Sequence, residues 1–396
     1  MSLPQVHLRP RKAQPFFAHH PWVLDTAIAR VVGSASDGAP VDLLSDKGPW
    51  IARGLYNQAS RIRVRLYSWN PEEELDASFW RERIQKAIGL RVSLGLVSPT
   101  TATRLVFSEA DRLSGLVVDR FGPVVVIQPN ARGIAERLDM IVDLVREATR
   151  PSAIVVRVDA STQRKEGMQV TTGQVWGDPI DEVIFVEEHG LRYGVEVLSG
   201  QKTGFYLDQR ENRRAAAALM HGRSVLDVCC YSGGFALAAA KLGQATDVLG
   251  IDVSEHAVAL ARANADLNGI ANAQFRAGDM FESMEQLLRE GRRFGAVILD
   301  PPKFVKGKFG AAQALRAYHH LNRLGIRLLE PDGILVTCSC SGSVGRLDFS
   351  EMLFGVSTRE KRDIQVLAQL GAAPDHPTLL TCPETEYLKC FLCRVG

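Results

Sequence analysis

From residue 224 onward, short apolar runs alternate with helical patterns, and that alternation admits few folds. Ser224–Val228 precedes a helical stretch at 234–242, Val248–Ile251 one at 254–267, and Gln274–Ala277 one at 280–290. Ala296–Leu299 precedes one at 311–329 and Ile334–Thr337 one at 346–370. Helices between successive strands predict βαβ units and a mainly parallel, doubly wound α/β sheet. Two late β runs, Thr378–Thr381 and Leu388–Arg394, have no helical pattern between them and predict an antiparallel hairpin at one sheet edge. Open parallel sheets put their chemistry at the carboxyl ends of strands, so the residue after each run matters most.

After the first run stands Asp227-Val228-Cys229-Cys230-Tyr231-Ser232-Gly233-Gly234-Phe235. The glycine pair lets backbone pass close to a ligand and open a helix. Neither G-x-G-x-x-G nor G-x-x-x-x-G-K-[ST] is present, which argues against a dinucleotide pyrophosphate or a phosphate cradle. Asp252 ends the second run, where a carboxylate can accept both hydroxyls of a ribose. Asp279 ends the third, with Met280 beside it to meet an adenine edge and face. Asp also favours helix N-caps, but three acidic strand ends with a glycine pair at the first point to a ligand with adenine, ribose and no phosphate. S-adenosylmethionine is such a ligand. Its expected pocket comprises Asp227, Cys229, Tyr231, Gly233, Phe235, Asp252, Val253, Asp279, Met280, Asp300 and Pro301.

Asp300-Pro301-Pro302-Lys303-Phe304 follows the fourth run, and Thr337-Cys338-Ser339-Cys340-Ser341 closes the fifth. A carboxylate and a sulfur at two strand ends suit covalent attack on an electron-poor ring. Cys338 and Cys340 compete for that role, since two residues apart on a continuing strand they would share a face. Small buried hydrophobes are the bland alternative for both.

The chain has 396 residues, too many for one ordinary core. Residues 1–75 read as a small β domain, 76–188 as an α+β middle domain with a hairpin turning at Phe121-Gly122-Pro123, and 189–396 as the α/β domain. Ile62, Val64 and Leu66 alternate with Arg61, Arg63 and Arg65, which predicts one apolar and one cationic face. With Arg53, and with Tyr56, Tyr67 and Trp69 nearby, this cationic face suits RNA phosphates and bases, and Lys303 is a further candidate for phosphate. The net charge of +2 alone predicts no nucleic acid. Seven scattered cysteines form no secreted disulfide framework, and no apolar run is long enough for a bilayer. A reduced, cytoplasmic protein without a membrane partner is expected. Adjacent Cys229 and Cys230 fit no zinc spacing, and Cys390-x-x-Cys393 lies in an alternating β run, so no metal is expected.

These motifs resemble the class I S-adenosylmethionine-dependent methyltransferases, and more narrowly the bacterial ribosomal large-subunit methyltransferase I family, which forms 5-methylcytosine in 23S rRNA. The resemblance rests on Lys165–Met168, Glu187–Gly190, Lys202–Arg210, Tyr231–Phe235, Asp300–Phe304 and Ser339–Gly342, with Gln201–Arg210 the most specific block. It implies a Rossmann-like catalytic domain and, more loosely, an N-terminal PUA-like RNA-binding domain. It assigns Cys340 as nucleophile and Asp300 as the carboxylate that holds the ring. In the Gln201–Arg210 block, Phe205 and Tyr206 would flank the adenosine or the target base, and Asp208 and Arg210 would organise the methionine end of the cofactor, with an N-capped structural loop as the bland alternative. The chain departs from the general D-x-G-x-G-x-G loop, because Cys229 and Tyr231 replace the first two glycines. Two alternatives stay open: methylation of a base amino group, which needs no thiol, and a non-catalytic RNA-binding assembly factor. Oligomeric state is not legible.

Overall fold

The computed structural model describes residues 3–198, 204–304 and 310–396. Gln201, Lys202 and Thr203 of the most specific block lie outside them. The chain divides into two compact units. The first comprises Met1–Val186, Val195–Leu207 and Pro374–Thr385; the second comprises Glu187–Gly194, Asp208–Ala373 and Glu386–Gly396.

The first unit contains two sheets. Six strands run in the order Trp22–Leu24, Ile62–Ser68, Trp50–Tyr56, Pro40–Leu44, Gln5–Leu8 and Ile28–Val32. Their inward residues, including Val6, Val41, Leu43, Val64 and Leu66, form a closed apolar cluster. Five more strands between Ala102 and Gly177 form the second sheet, and the expected hairpin is there as Leu116–Phe121 against Val124–Pro129. Asp76 accepts the Phe79 amide and caps the helix Ala77–Ser93. On that helix, fully buried Trp80 meets Tyr67 of the first sheet edge-on at 5.0 Å.

The cationic face expected on Ile62–Ser68 is mostly absent. Arg65 is half-buried between Glu109 at 3.3 Å and Glu166 at 3.1 Å, and Arg53 pairs with Asp42 at 2.9 Å. Arg63 bonds the Gln58 carbonyl, and Arg61 is the exposed member. Alternation placed Arg61, Arg63 and Arg65 on one face, but carboxylates distant in sequence pair with Arg65, and Asp42 pairs with Arg53 of the neighbouring strand.

The second unit is a seven-stranded sheet in the order Ala273–Ala277, Asp247–Asp252, Ser224–Val228, Phe294–Leu299, Leu329–Ser339, Lys389–Val395 and Ile364–Leu370. The first five are parallel to one another, and Lys389–Val395 runs antiparallel to both its neighbours. Strands covered on both faces need near-continuous apolar runs, and all six residues of Phe294–Leu299 are buried. The expected hairpin of Thr378–Thr381 with Leu388–Arg394 does not form. Ile364–Leu370, read from sequence as the end of a helix, is the true partner, and the helix stops at Glu360. Lys361, with φ of 54°, turns the chain out of it.

The hairpin segment Glu187–Gly194 is tied to the helix Arg210–Ala217 by a bidentate pair, Arg213 to both Glu188 oxygens at 2.6 Å, with both side chains nearly sealed from water. Breaking such a pair leaves a buried charge uncompensated. Arg213→Met is expected to cost about 3–5 kcal/mol in chemical denaturation; a loss under about 1 kcal/mol would mean the charge is hydrated rather than buried.

Candidate active site

The loop after Ser224–Val228 is bent into conformations that glycine adopts freely and other residues do not. Cys229 has φ of 65°, Tyr231 of 47° and Gly233 of 86°. The two side chains that replace glycines thus keep the glycine geometry, at about 1–2 kcal/mol each. The loop is held from several sides. Asp252 Oδ2 accepts the Tyr231 amide at 2.9 Å while Oδ1 accepts that of Ser254 at 3.0 Å. Asn264 Nδ2 donates to the Ser232 carbonyl at 3.1 Å, and the Cys230 amide donates to Ile251. A Cβ on Gly233 would lie 3.3 Å from both Ala261 and Leu237, which would have to give by a few tenths of an ångström, and its φ favours glycine in any case.

Around this loop the structure gathers the acidic strand ends. Asp227 is buried; its Oδ2 accepts the Ala236 amide at 2.9 Å, and its buried Oδ1 has no partner among the described residues. Burial, reinforced by Asp300 and Asp252, pushes its carboxyl up to about 8. Asp279 caps the helix Met280–Arg289 by accepting two amides on Oδ1. The Met280 sulfur lies 3.9 Å from that of Cys229, so the ends of the first and third strands meet. Val253, beside Asp252, is a three-quarters exposed apolar side chain.

Asp300 Oδ1 accepts from Gln209 Nε2 at 2.9 Å. Gln209 in turn accepts from Asn212 at 2.6 Å, and Asn212 also donates to the Gly371 carbonyl at 2.9 Å. This relay fixes the Asp300 carboxylate from behind. The Cys340 sulfur lies 4.0 Å from the Pro301 carbonyl oxygen, on the same turn. Lys303 is exposed, and Phe304 packs edge-on to Tyr318 at 4.8 Å.

The cysteines separate by environment. Five of the seven are buried, leaving Cys229 and Cys340 half-buried. Burial raises the Cys229 thiol, and Asp252, Asp300, Asp227 and Asp279 raise it further. Cys338 is fully buried opposite Cys390, and burial with that thiol contact raises it too. Cys390 and Cys393, three apart on one strand, point to opposite faces and cannot share a metal. Elsewhere, in the first unit, His20, Cys382 and Glu384 bring one ligand atom each within 4.8 Å of one another. Burial, with Glu109 and Glu384, pushes the Cys382 thiol up to about 12.

Asp208 has a partner of its own, the Tyr387 hydroxyl, and Arg210 is buried beside Glu211 at 3.6 Å. Phe205 is buried within the first unit and Phe235 within the helix Gly234–Lys241. Sequence reasoning missed Gln209, Asn212 and Lys389. Gln209 stood inside the Gln201–Arg210 block without a role of its own, and Asn212 gave no signal, because an amide at a helix start is ordinary. Lys389 did: a single charge inside an apolar β run must be either solvated or functional, and it is 2% exposed.

A cofactor bearing an ammonium group and a ribose fits these residues: the buried Asp227 Oδ1 has no partner among the described residues and its carboxyl can ionise against a cation, and Asp252 is half-buried at a strand end. The S-adenosylmethionine-dependent methyltransferase family profile matches residues 153–394, and a PUA-like domain profile matches 6–69. An Erwinia tasmaniensis protein named ribosomal RNA large subunit methyltransferase I is 37% identical over 378 residues, covering 95% of both chains. A Shigella boydii protein of the same name matches equally, at 37% over 378 residues. Among solved structures, one described as an S-adenosylmethionine-dependent methyltransferase from Streptococcus mutans superposes with a TM-score of 0.85 at 20% identity, both chains fully covered. A second, solved with SAH, gives 0.86 at 21% identity, again over both full chains.

Asp227 provides a test. Its folded value is raised above the ordinary 3.8, so its contribution to stability is full below that value and is lost as pH rises through about 8. An ammonium placed against it favours ionisation, so cofactor binding near pH 7 should release about one proton. Calorimetry in buffers of different ionisation enthalpy should show that release in the native protein and not in Asp227→Asn. Equal proton counts would contradict the assignment.

Proposed function

Because this chain belongs to the ribosomal RNA large subunit methyltransferase I family of S-adenosylmethionine-dependent methyltransferases, we propose that it methylates 23S rRNA at C5 of a cytosine, through a covalent bond from Cys340. The observation that carries this reading is the position of Cys340, half-buried one residue beyond a strand end and 4.0 Å from the turn that bears Asp300.

C5 of cytosine is a poor nucleophile. Addition of the Cys340 thiolate to C6 makes C5 enamine-like as N3 takes a proton from the Asp300 carboxyl, whose other oxygen accepts from the exocyclic amine to hold the ring plane. S-adenosylmethionine, when bound, supplies an electrophilic methyl group. Loss of the C5 proton to solvent then restores the 5,6 double bond and expels the Cys340 sulfur as thiolate, and N3 returns its proton to Asp300. Gln209 and Asn212 keep Asp300 from rotating away. Asp252 and Asp279 are assigned to ribose and adenine, Asp227 to the ammonium group, and Val253 and Met280 to the apolar faces of the base. Cys229, Tyr231, Gly233 and Pro301 give the backbone of the same pocket. Arg61 and Lys303, both exposed, are the cations assigned to RNA phosphates, together with the PUA-like domain. A ribosomal RNA substrate also favours the cytoplasm as the compartment.

Cys340→Ala should abolish 5-methylcytosine formation in 23S rRNA fragments, read by mass spectrometry of the nucleosides, while Cys338→Ala retains it. Methyl transfer surviving in Cys340→Ala would instead favour attack by an amino nitrogen. Transfer lost only in Cys338→Ala would overturn the choice of sulfur.

A further inference from the structure

Lys389 is a buried lysine held by backbone carbonyls. It is 2% exposed, and among the described residues its ammonium pairs with no carboxylate. Nζ donates to the Ser341 carbonyl at 2.6 Å and to the Tyr387 carbonyl at 2.8 Å. Its backbone lies opposite Ser339 in the antiparallel ladder, one residue before Cys340. A charge without a counter-ion in such a place is costly to retain, and two neutral carbonyls offset that cost only in part.

We propose that Lys389 is a positioning residue for the Cys340 sulfur, an ammonium that pins the Cys340–Ser341 turn and favours the sulfur as a thiolate. An anion developing at residue 340 is the counter-charge that the ammonium otherwise lacks. The surrounding charges leave this role to Lys389. Arg346, at the start of the helix Arg346–Glu360, is matched by Glu386 at 2.9 Å. Lys303 is exposed and screened by water. Asp300 opposes thiolate formation from its own turn, and buried Tyr318 is uncharged at neutral pH, raised by burial. Burial pushes Lys389 down to about 8, and Cys340 and Glu386 act against that fall, as expected for a cation that shares the field of the sulfur.

For methyl transfer this inference rests on the proposed function, whereas ionisation of the sulfur can be measured apart from it. Iodoacetamide alkylation of Cys340, followed by peptide mass spectrometry across pH in the full-length protein, reads the thiolate fraction. In the native protein the midpoint should fall below the ordinary thiol value of about 8.5. In Lys389→Met it should rise so that alkylation at pH 7 slows by about tenfold or more, with Lys389→Arg restoring most of the rate. The acid limb of the methylation profile should move up in pH with it. A native midpoint at or above the ordinary value overturns the proposal, and that measurement needs no variant to fold. An unchanged midpoint in a Lys389→Met protein that melts cooperatively also overturns it. So does a shifted midpoint with an unmoved methylation profile. Loss of the proposed function alone would appear differently, as full methylation by Cys340→Ala.

Discussion

The backbone ladder between Leu329–Ser339 and Lys389–Val395 runs from Gly333 opposite Val395 to Ser339 opposite Lys389, and stops one residue short of Cys340. The site depends on that stopping point. While the ladder lasts, side chains alternate between two covered faces, and Cys338 is sealed against Cys390. Once it ends, residue 340 is free of the alternation and comes to lie beside the Asp300 turn of the neighbouring strand. Two sulfurs two residues apart thereby acquire different environments, one buried and one half-buried. The same ladder carries the Lys389 ammonium to the turn from the opposite strand.

A second constraint is electrostatic. Parallel alignment brings Asp227, Asp252 and Asp300 to one edge of the sheet. Asp252 accepts two backbone amides and Asp300 one side-chain amide. Asp227 accepts a single amide and is deeply buried, and burial, reinforced by Asp300 and Asp252, pushes its carboxyl up to about 8. The edge is therefore prepared for a ligand that brings positive charge. It also disfavours ionisation of Cys229, which leaves that half-buried sulfur unsuited to nucleophilic attack.

Much of this was legible in the sequence because it follows from local periodicity. The parallel strands, the helices between them and the carboxylates that follow the strands all come from patterns within a few residues. What sequence could not supply was long-range pairing. Ile364–Leu370 alternates weakly and continues a helical stretch, so only its ladder with Lys389–Val395 identifies it as a strand. Arg53 and Arg65 looked available to RNA because their carboxylate partners, Asp42, Glu109 and Glu166, lie 11 to 101 residues away in the chain. The choice of Cys340 over Cys338 rested on the resemblance rather than on periodicity: it turns on where a strand ends, and periodicity predicts boundaries less well than it predicts elements.

Covalent trapping tests the central claim most directly. An rRNA fragment carrying 5-fluorocytosine at the modified position has no C5 proton to lose, so a sulfur added at C6 cannot be expelled after methylation. Incubation with S-adenosylmethionine, digestion and mass spectrometry should yield a nucleotide adduct on the peptide at Cys340. An adduct on Cys338, or methylation of unmodified RNA with no adduct on the fluorinated one, would contradict the account.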